Sequence, residues 1–451
     1  MSLPAANLSK KADNLTTMEL GAVLPLTAEV KDDHLFIGGV DMVTLAHDQG
    51  TALYVYDEAD LRNRMETYVS TMRAHYSDSD VIYAGKAFLN KAVARIVAEE
   101  GLYLDVSGGG ELACARAAGF PMERVVVHGN NKTPLELKEA IAAGVGRIVV
   151  DSRIELARIS EIAAEQGVTQ EVFMRITPGV EADTHEYIRT GCEDSKFGFN
   201  MRDDWAFNCV KDALAAPHVH LAGLHMHIGS QIFALHSFRE AIDVMVKLIS
   251  RIKDEYGFVI DELDVGGGLG IAYTTEDKPS TIEAFAECVC SAVKEYCAAH
   301  DVKQPHILCE PGRSLVANAG VTLYTVGILK TLPGIRKYVA VDGGMSDNIR
   351  TALYHSEYEP VIANKAGQPR TEIVTIAGKH CESGDAVVID MSLQHPDLGD
   401  IACVLGTGAY CYSMASNYNG QPRPAIVFVK DGQARVTTRR ETYEDLLQRD
   451  L

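Results

Sequence analysis

Between residues 80 and 312 the chain repeats one pattern eight times, a short β-rich apolar run followed by a helical stretch. The runs are VIYAGKAF (81–88), LYLDVS (102–107), VVVHG (125–129), RIVVDS (147–152), VFMRITPG (172–179), LAGLHMHIG (221–229), LDVGGG (263–268) and HILCEPG (306–312). A helix between two strands returns the chain to the edge it left, so the strands pair in parallel. Eight such units favour closure into a (β/α)8 TIM-type barrel over an open doubly wound sheet. Helix punctuation agrees: Thr133-Pro134-Leu135-Glu136 and Ser152-Arg153-Ile154-Glu155 read as capping boxes, and Gly101, Gly144 and Gly167 fall where helices stop. Polar residues and glycines gather where the runs end, at Lys86, Ser107, His128, His227, Gly266 to Gly268 and Glu310 to Arg313. In a barrel that end is the catalytic face.

After residue 313 the texture becomes short β-rich segments, such as VTLYTVGILKTL, EIVTIAGKHC and AIVFVKDGQARVTTR, separated by Gly, Pro, Asn or Asp. This predicts a C-terminal β domain of sandwich or Greek-key type over 314–451, after a barrel over 51–313. The first 50 residues also read as short strands and are expected to join the β domain. The 451 residues suit one barrel and one smaller domain. The polar stretch between Val180 and Asn200 is too long for a simple turn and reads as a lid.

A formal charge of −20, from 62 acidic and 42 basic residues without a basic cluster, argues against nucleic acid and anionic membranes as partners. The opening MSLPAANLSKKADNL lacks the apolar core of a secretory signal, and no run approaches the roughly 18 apolar residues of a membrane span. A cytoplasmic protein is expected, with its ten scattered cysteines reduced.

Several residues carry chemistry. Lys86 ends an apolar strand among Tyr83, Ala84, Gly85, Ala87 and Phe88; such surroundings favour a neutral amine fit for Schiff-base chemistry, although a strand-end lysine can simply snorkel. Gly266, Gly267 and Gly268 follow a late strand, where backbone N–H groups can bind phosphate or the glycines can form a tight turn. Glu310 and Arg313 sit at another strand end. The carboxylate could keep a neighbouring pyridine nitrogen protonated, or the two charges could satisfy each other. His225 and His227 share a strand face and invite a metal, but no closely spaced third ligand is evident. The expectation is no metal, with His227 as the single functional imidazole. In CESGD, Cys381 can donate a proton and Glu382 can hold an ammonium, against the alternative of a buried structural thiol. Arg350 and Tyr354, one helical turn apart, could bind a carboxylate, and Tyr410 in GTGAY a phosphate oxygen.

Taken together, YAGKAF, DVSGGGEL, HGNNKT, RITPGVEADTHEYIRTG, SKFGF, GLHMHIGSQ, DVGGGLGIAY, EPGRSLVANAG, VDGGMSDNIRTALY, CESGD, GAYCYSMASNYN and RRET resemble the fold type III pyridoxal-phosphate decarboxylases, which have an alanine-racemase-like barrel, and among them the diaminopimelate decarboxylase family. The resemblance runs from about Tyr54 to Leu447. It implies a Schiff base between Lys86 and pyridoxal phosphate, His227 stacked on the ring, and Glu310 on the pyridine nitrogen. Ser230, Gly266 to Gly268, Gly312, Arg313 and Tyr410 would hold the phosphate. It also implies a homodimer in which Cys381 and Glu382 complete the other protomer's site, and Cys381 returns the proton to the substrate carbon, with Lys86 as its competitor.

The substrate then follows from charge. The distal end of meso-diaminopimelate carries a carboxylate, suited to Arg313, Arg350 and Tyr354, and an ammonium, suited to Glu382; decarboxylation gives L-lysine. Tyr410 would also border the substrate. A decarboxylase for ornithine, arginine, lysine or a carboxylated polyamine would want an acidic pocket, which Arg350 opposes. A racemase would place a tyrosine base where CESGD stands, and a non-catalytic relative would lack the lysine, the cysteine or the β domain.

Overall fold

A computed structural model describes residues 3–7, 9–180 and 195–451. The chain forms two compact units: Arg64–Gly270 with Pro279–Ser314, and Met1–Asn63 with Ile271–Lys278 and Leu315–Leu451. The lid expected within 180–200 falls mostly on 181–194, outside the described residues.

The first unit is a closed eight-stranded parallel barrel. Its strands are β1 (Ser79–Ala84), β2 (Tyr103–Val106), β3 (Val125–Val127), β4 (Arg147–Val150), β5 (Gln170–Thr177), β6 (Val219–Met226), β7 (Glu262–Asp264) and β8 (His306–Cys309). Each pairs with the next, and β8 closes on β1 through Ile307↔Ser79 to Cys309↔Val81. A two-residue strand, Phe199–Asn200, adds alongside β5. Ile82, Val126, Val149, Phe173, Ala222 and Leu308, with Tyr103 against them, fill the interior. Burying each of the larger side chains contributes about 2 kcal/mol.

The helix signals act largely as their chemistry dictates. Thr133 and Glu136 form a reciprocal capping box on Pro134–Ala143, and Gly144 closes that helix in the left-handed region. At Arg153–Gln166 only half the expected box forms. Ser152 accepts from Glu155 N, but the Glu155 carboxylate takes Asp151 N at 2.8 Å and Lys132 at 3.0 Å instead of turning back to the cap.

The second unit is built mainly of β-sheet. Glu29–Lys31, His34–Ile37 and Val40–Asp41 form a three-stranded antiparallel sheet, and a nine-stranded sheet runs through the C-terminal segments. The strand Leu53–Asp57, which a barrel beginning at residue 51 would include, lies in this larger sheet. It pairs antiparallel with Gly320–Leu332 and parallel with Ala425–Lys430, and all five of its residues are buried. Its Leu53 and Val55 pack with Val321, Leu323, Cys403 and Val427.

Candidate active site

Side chains two apart on a strand point the same way. Two residues beyond the interior layer of Ile82, Tyr103, Val126, Val149, Phe173 and Leu308, the same face therefore carries Ala84, Asp105, His128, Asp151, Arg175 and Glu310. Register brings Arg175, His225 and Asp264 abreast on β5, β6 and β7. Asp105, His128, Asp151, Arg175, His225, Asp264 and Glu310 are all buried, so the barrel's apolar core is capped by a layer of charge.

Glu310 is the centre of this layer. His225 Nε2 is hydrogen-bonded to its Oε2 at 3.1 Å, and His128 Nε2 approaches Oε1 to 2.7 Å, the two rings meeting edge to face. Burial opposes ionisation of Glu310, but His128 and His225 outweigh it and hold the carboxyl well below the usual range. Burial pushes the neighbouring Asp264 well above its ordinary value, with Glu310 adding to the effect, and raises Asp105 too. His225 was expected to be structural; it lies instead directly on the central carboxylate. The polar atoms of His128, His225 and Glu310 lie within 4.8 Å of one another, a spacing that His225 and His227 alone did not suggest.

The glycine run is shaped by close approach. A Cβ on Gly267 would lie 2.0 Å from Glu310 O, and one on Gly266, at φ 69°, 2.3 Å from Met226 O. Gly267 N–H donates to His227 Nδ1 at 3.3 Å, which orients that ring and uses one of the amides expected to face a phosphate. Burial, with Lys86 and Arg175 nearby, holds His227 well below the usual imidazole range. Arg313 donates to Ser230 Oγ at 3.1 Å, and Gly312 packs on Ala84 and Ala87. Lys86 follows β1 in a short turn, Gly85–Ala87, whose other two residues are buried, but the lysine itself is exposed. Apolar sequence neighbours therefore do not desolvate it in this chain. At DVSGGGEL, Ser107 N donates to Glu111 and Gly109 N to Glu136, beside a cavity of about 130 Å³.

The second unit gathers another group of the expected residues. Arg350 is buried, donates from Nε to Tyr358 OH at 2.8 Å, and lies 5.6 Å from the ring centres of Tyr273, Tyr354 and Tyr410. Tyr273 and Tyr358 were missed, Tyr273 being 77 residues from Arg350 in sequence. Cys381 and Glu382 lie in an exposed loop of the same unit, so Cys381 is not a buried structural thiol. The loop is pinned by Asp385, which accepts from His380 N at 2.8 Å and Met345 N at 2.7 Å, and by Asn419, which accepts from Cys381 N.

A barrel mouth with an amine, a buried anionic carboxylate braced by imidazoles, and a close-packed glycine turn beside an arginine fits a flat ligand with a basic ring nitrogen, an aldehyde and an anionic group. This is the class of pyridoxal-phosphate barrel enzymes. Residues 59–317 match the family described as pyridoxal-dependent decarboxylase, pyridoxal binding domain. A diaminopimelate decarboxylase of Bacillus subtilis is 48% identical over 93% of this chain and 95% of its own, and one of Synechocystis is 44% identical over 95% and 92%. A crystal structure titled diaminopimelate decarboxylase from M. jannaschii in co-complex with L-lysine superposes with a TM-score of 0.88 at 35% identity, covering 95% of this chain and 98% of that one. The chain belongs to the diaminopimelate decarboxylase family of pyridoxal-dependent decarboxylases.

Proposed function

We infer that this chain is a pyridoxal-phosphate-dependent carboxy-lyase that converts meso-diaminopimelate to L-lysine and carbon dioxide, the last step of lysine biosynthesis through diaminopimelate. The observation that carries the reading is Glu310, a buried carboxylate held ionised by two imidazoles at the barrel mouth. When bound, pyridoxal phosphate supplies an electron sink for breaking the bond to a departing carboxylate, provided its ring nitrogen is protonated.

Each residue has a part in holding that chemistry in place. Lys86 would offer its amine to the cofactor aldehyde. Glu310 would keep the ring nitrogen protonated, and His227, held by Gly267 N–H, would offer a ring face for stacking. Ser230, Gly266, Gly267, Gly268, Gly312, Arg313 and Tyr410 are assigned to the phosphate, with Gly267 contributing mainly through its close fit. Arg313, Arg350 and Tyr354 are assigned to the distal carboxylate of the substrate, Tyr410 to its border and Glu382 to its ammonium. The exposed thiol of Cys381 is assigned to return the proton to the substrate carbon.

The exposure of Cys381 and Glu382 supports a homodimer in which each protomer offers this loop to the other's barrel. Cytoplasmic residence fits a biosynthetic enzyme; among the described residues no helix is long and apolar enough to cross a membrane.

The test is quantitation of L-lysine and carbon dioxide after incubating the protein with meso-diaminopimelate, with and without added pyridoxal phosphate. Equal yields of both, dependent on the cofactor, support the reading. Turnover without the cofactor, or carbon dioxide without lysine, overturns it.

A further inference from the structure

Four carboxylates, Asp105, Asp151, Asp264 and Glu310, are buried in one polar layer; Asp151 faces Arg175 at 3.9 Å, and any of the other three could carry the negative charge that a protonated ring nitrogen needs. Like charges this close cannot all be ionised in a low-dielectric interior, so something must decide which one is. The other groups facing the layer are Lys86 after β1, Arg175 on β5 and His227 after β6, and Arg175 interacts with all four carboxylates, so it does not single one out. Among the described residues, Glu310 alone of these has an imidazole at each oxygen, His225 hydrogen-bonded to one at 3.1 Å and His128 in close contact with the other at 2.7 Å without a formed hydrogen bond.

We propose that His128 and His225 are positioning residues that fix the layer's negative charge on Glu310, and so select it over Asp105 and Asp264 as the partner of the cofactor's ring nitrogen. The second nitrogen of His225 fits this role. His225 Nδ1 is buried with no hydrogen-bond partner among the described residues. A proton there would be an unsatisfied buried donor, so the ring is neutral with its proton on Nε2, aimed at Glu310. Burial, acting against the pull of Glu310, lowers His225 to about 4, consistent with that neutral form. His128 reaches the same carboxylate from just after β3, three strands from β8 on the side away from β6, so the carboxylate is gripped from two sides of the barrel. Its orientation is fixed as well as its charge.

The inference rests on the reading of Glu310 as the partner of a ring nitrogen, and the experiment separates the two. Full-length protein stripped of cofactor is titrated with pyridoxal phosphate and with its 1-deaza analogue, which has a C–H in place of the ring nitrogen. The wild type is compared with His128→Gln, His128→Leu, His225→Gln and His225→Leu. Glutamine can present an amide N–H near the position of Nε2; leucine cannot. The wild type prefers pyridoxal phosphate, the leucine variants lose about tenfold or more of that preference while binding the analogue nearly as before, and the glutamine variants retain most of it. Should leucine prevent folding, His225→Asn, whose amide lies near the Nδ1 position and falls short of Glu310, is expected to behave as leucine does. Equal weakening of both ligands would mark the histidines as scaffold only and overturn the proposal, as would an undiminished preference. A wild type that does not distinguish the two ligands would overturn the reading of Glu310 itself, and the proposal with it.

Discussion

Lys132 lies buried with its ammonium 3.0 Å from the buried carboxylate of Glu155 and 2.7 Å from the carbonyls of Gly129 and Val149. Removing one member of such a pair leaves the other charged and unsolvated, which costs about 3–5 kcal/mol, whereas removing both is far milder. Lys132→Met is therefore expected to lower unfolding free energy in urea by about that amount, and Lys132→Met with Glu155→Leu to recover much of it. Additive losses in the double variant would contradict this coupling. The pair also shows where residue-level reading stops. Thr133-x-x-Glu136 and Ser152-x-x-Glu155 share one spacing, but the glutamate of the second is drawn to Lys132, a partner that local spacing does not reveal. In the same way Asp105, Arg175 and Asp264 each read as an isolated strand-end charge. Only closure of the barrel sets them beside Glu310.

At the scale of elements, the eight strands were legible because each apolar run ends in a polar or glycine residue at the same point of its repeat. The strand Leu53–Asp57 was not legible as part of the β unit, since an apolar run looks alike in either sheet and its partners lie more than 260 residues away. The seam between β8 and β1 carries a pH signature. His306 on β8 meets Asp78 at 2.8 Å and Asp80 of β1 at 3.5 Å. The hydrogen bond to Asp80, reinforced by Asp78, raises the His306 pKa against partial burial. A histidine with a raised folded-state pKa contributes stability that is fully present below its unfolded value, about 6.5, and is lost as pH rises through the folded value. The stability difference between wild type and His306→Gln in urea melts should thus be larger at pH 6 than at pH 9. An equal difference at both would show that the contact acts as a neutral hydrogen bond.

At the scale of the whole molecule, the proposed chemistry is divided: Lys86, His227, Glu310 and Arg313 belong to the barrel unit, and Cys381, Glu382, Arg350, Tyr354 and Tyr410 to the other. If sites are shared between protomers, mixing and reassociating inactive Lys86→Ala and Cys381→Ala chains should restore about a quarter of wild-type activity. Half of the dimers would then be hybrids, each with one intact site. No recovery despite exchange would mean that each protomer supplies its own thiol. The assembly of Arg350 with Tyr273 and Tyr410 belongs to this scale too, for those tyrosines come from separate segments and no local motif joins them to the arginine, whereas Tyr358 lies only eight residues beyond it. The most direct test of the central claim is carbon dioxide release by the cofactor-loaded protein from meso-diaminopimelate beside L-ornithine, L-arginine and L-lysine, with Lys86→Ala as control. Release from meso-diaminopimelate alone, abolished in the variant, is the predicted result; release from one of the other amino acids instead would contradict the assignment of Arg313, Arg350 and Glu382 and the substrate with it.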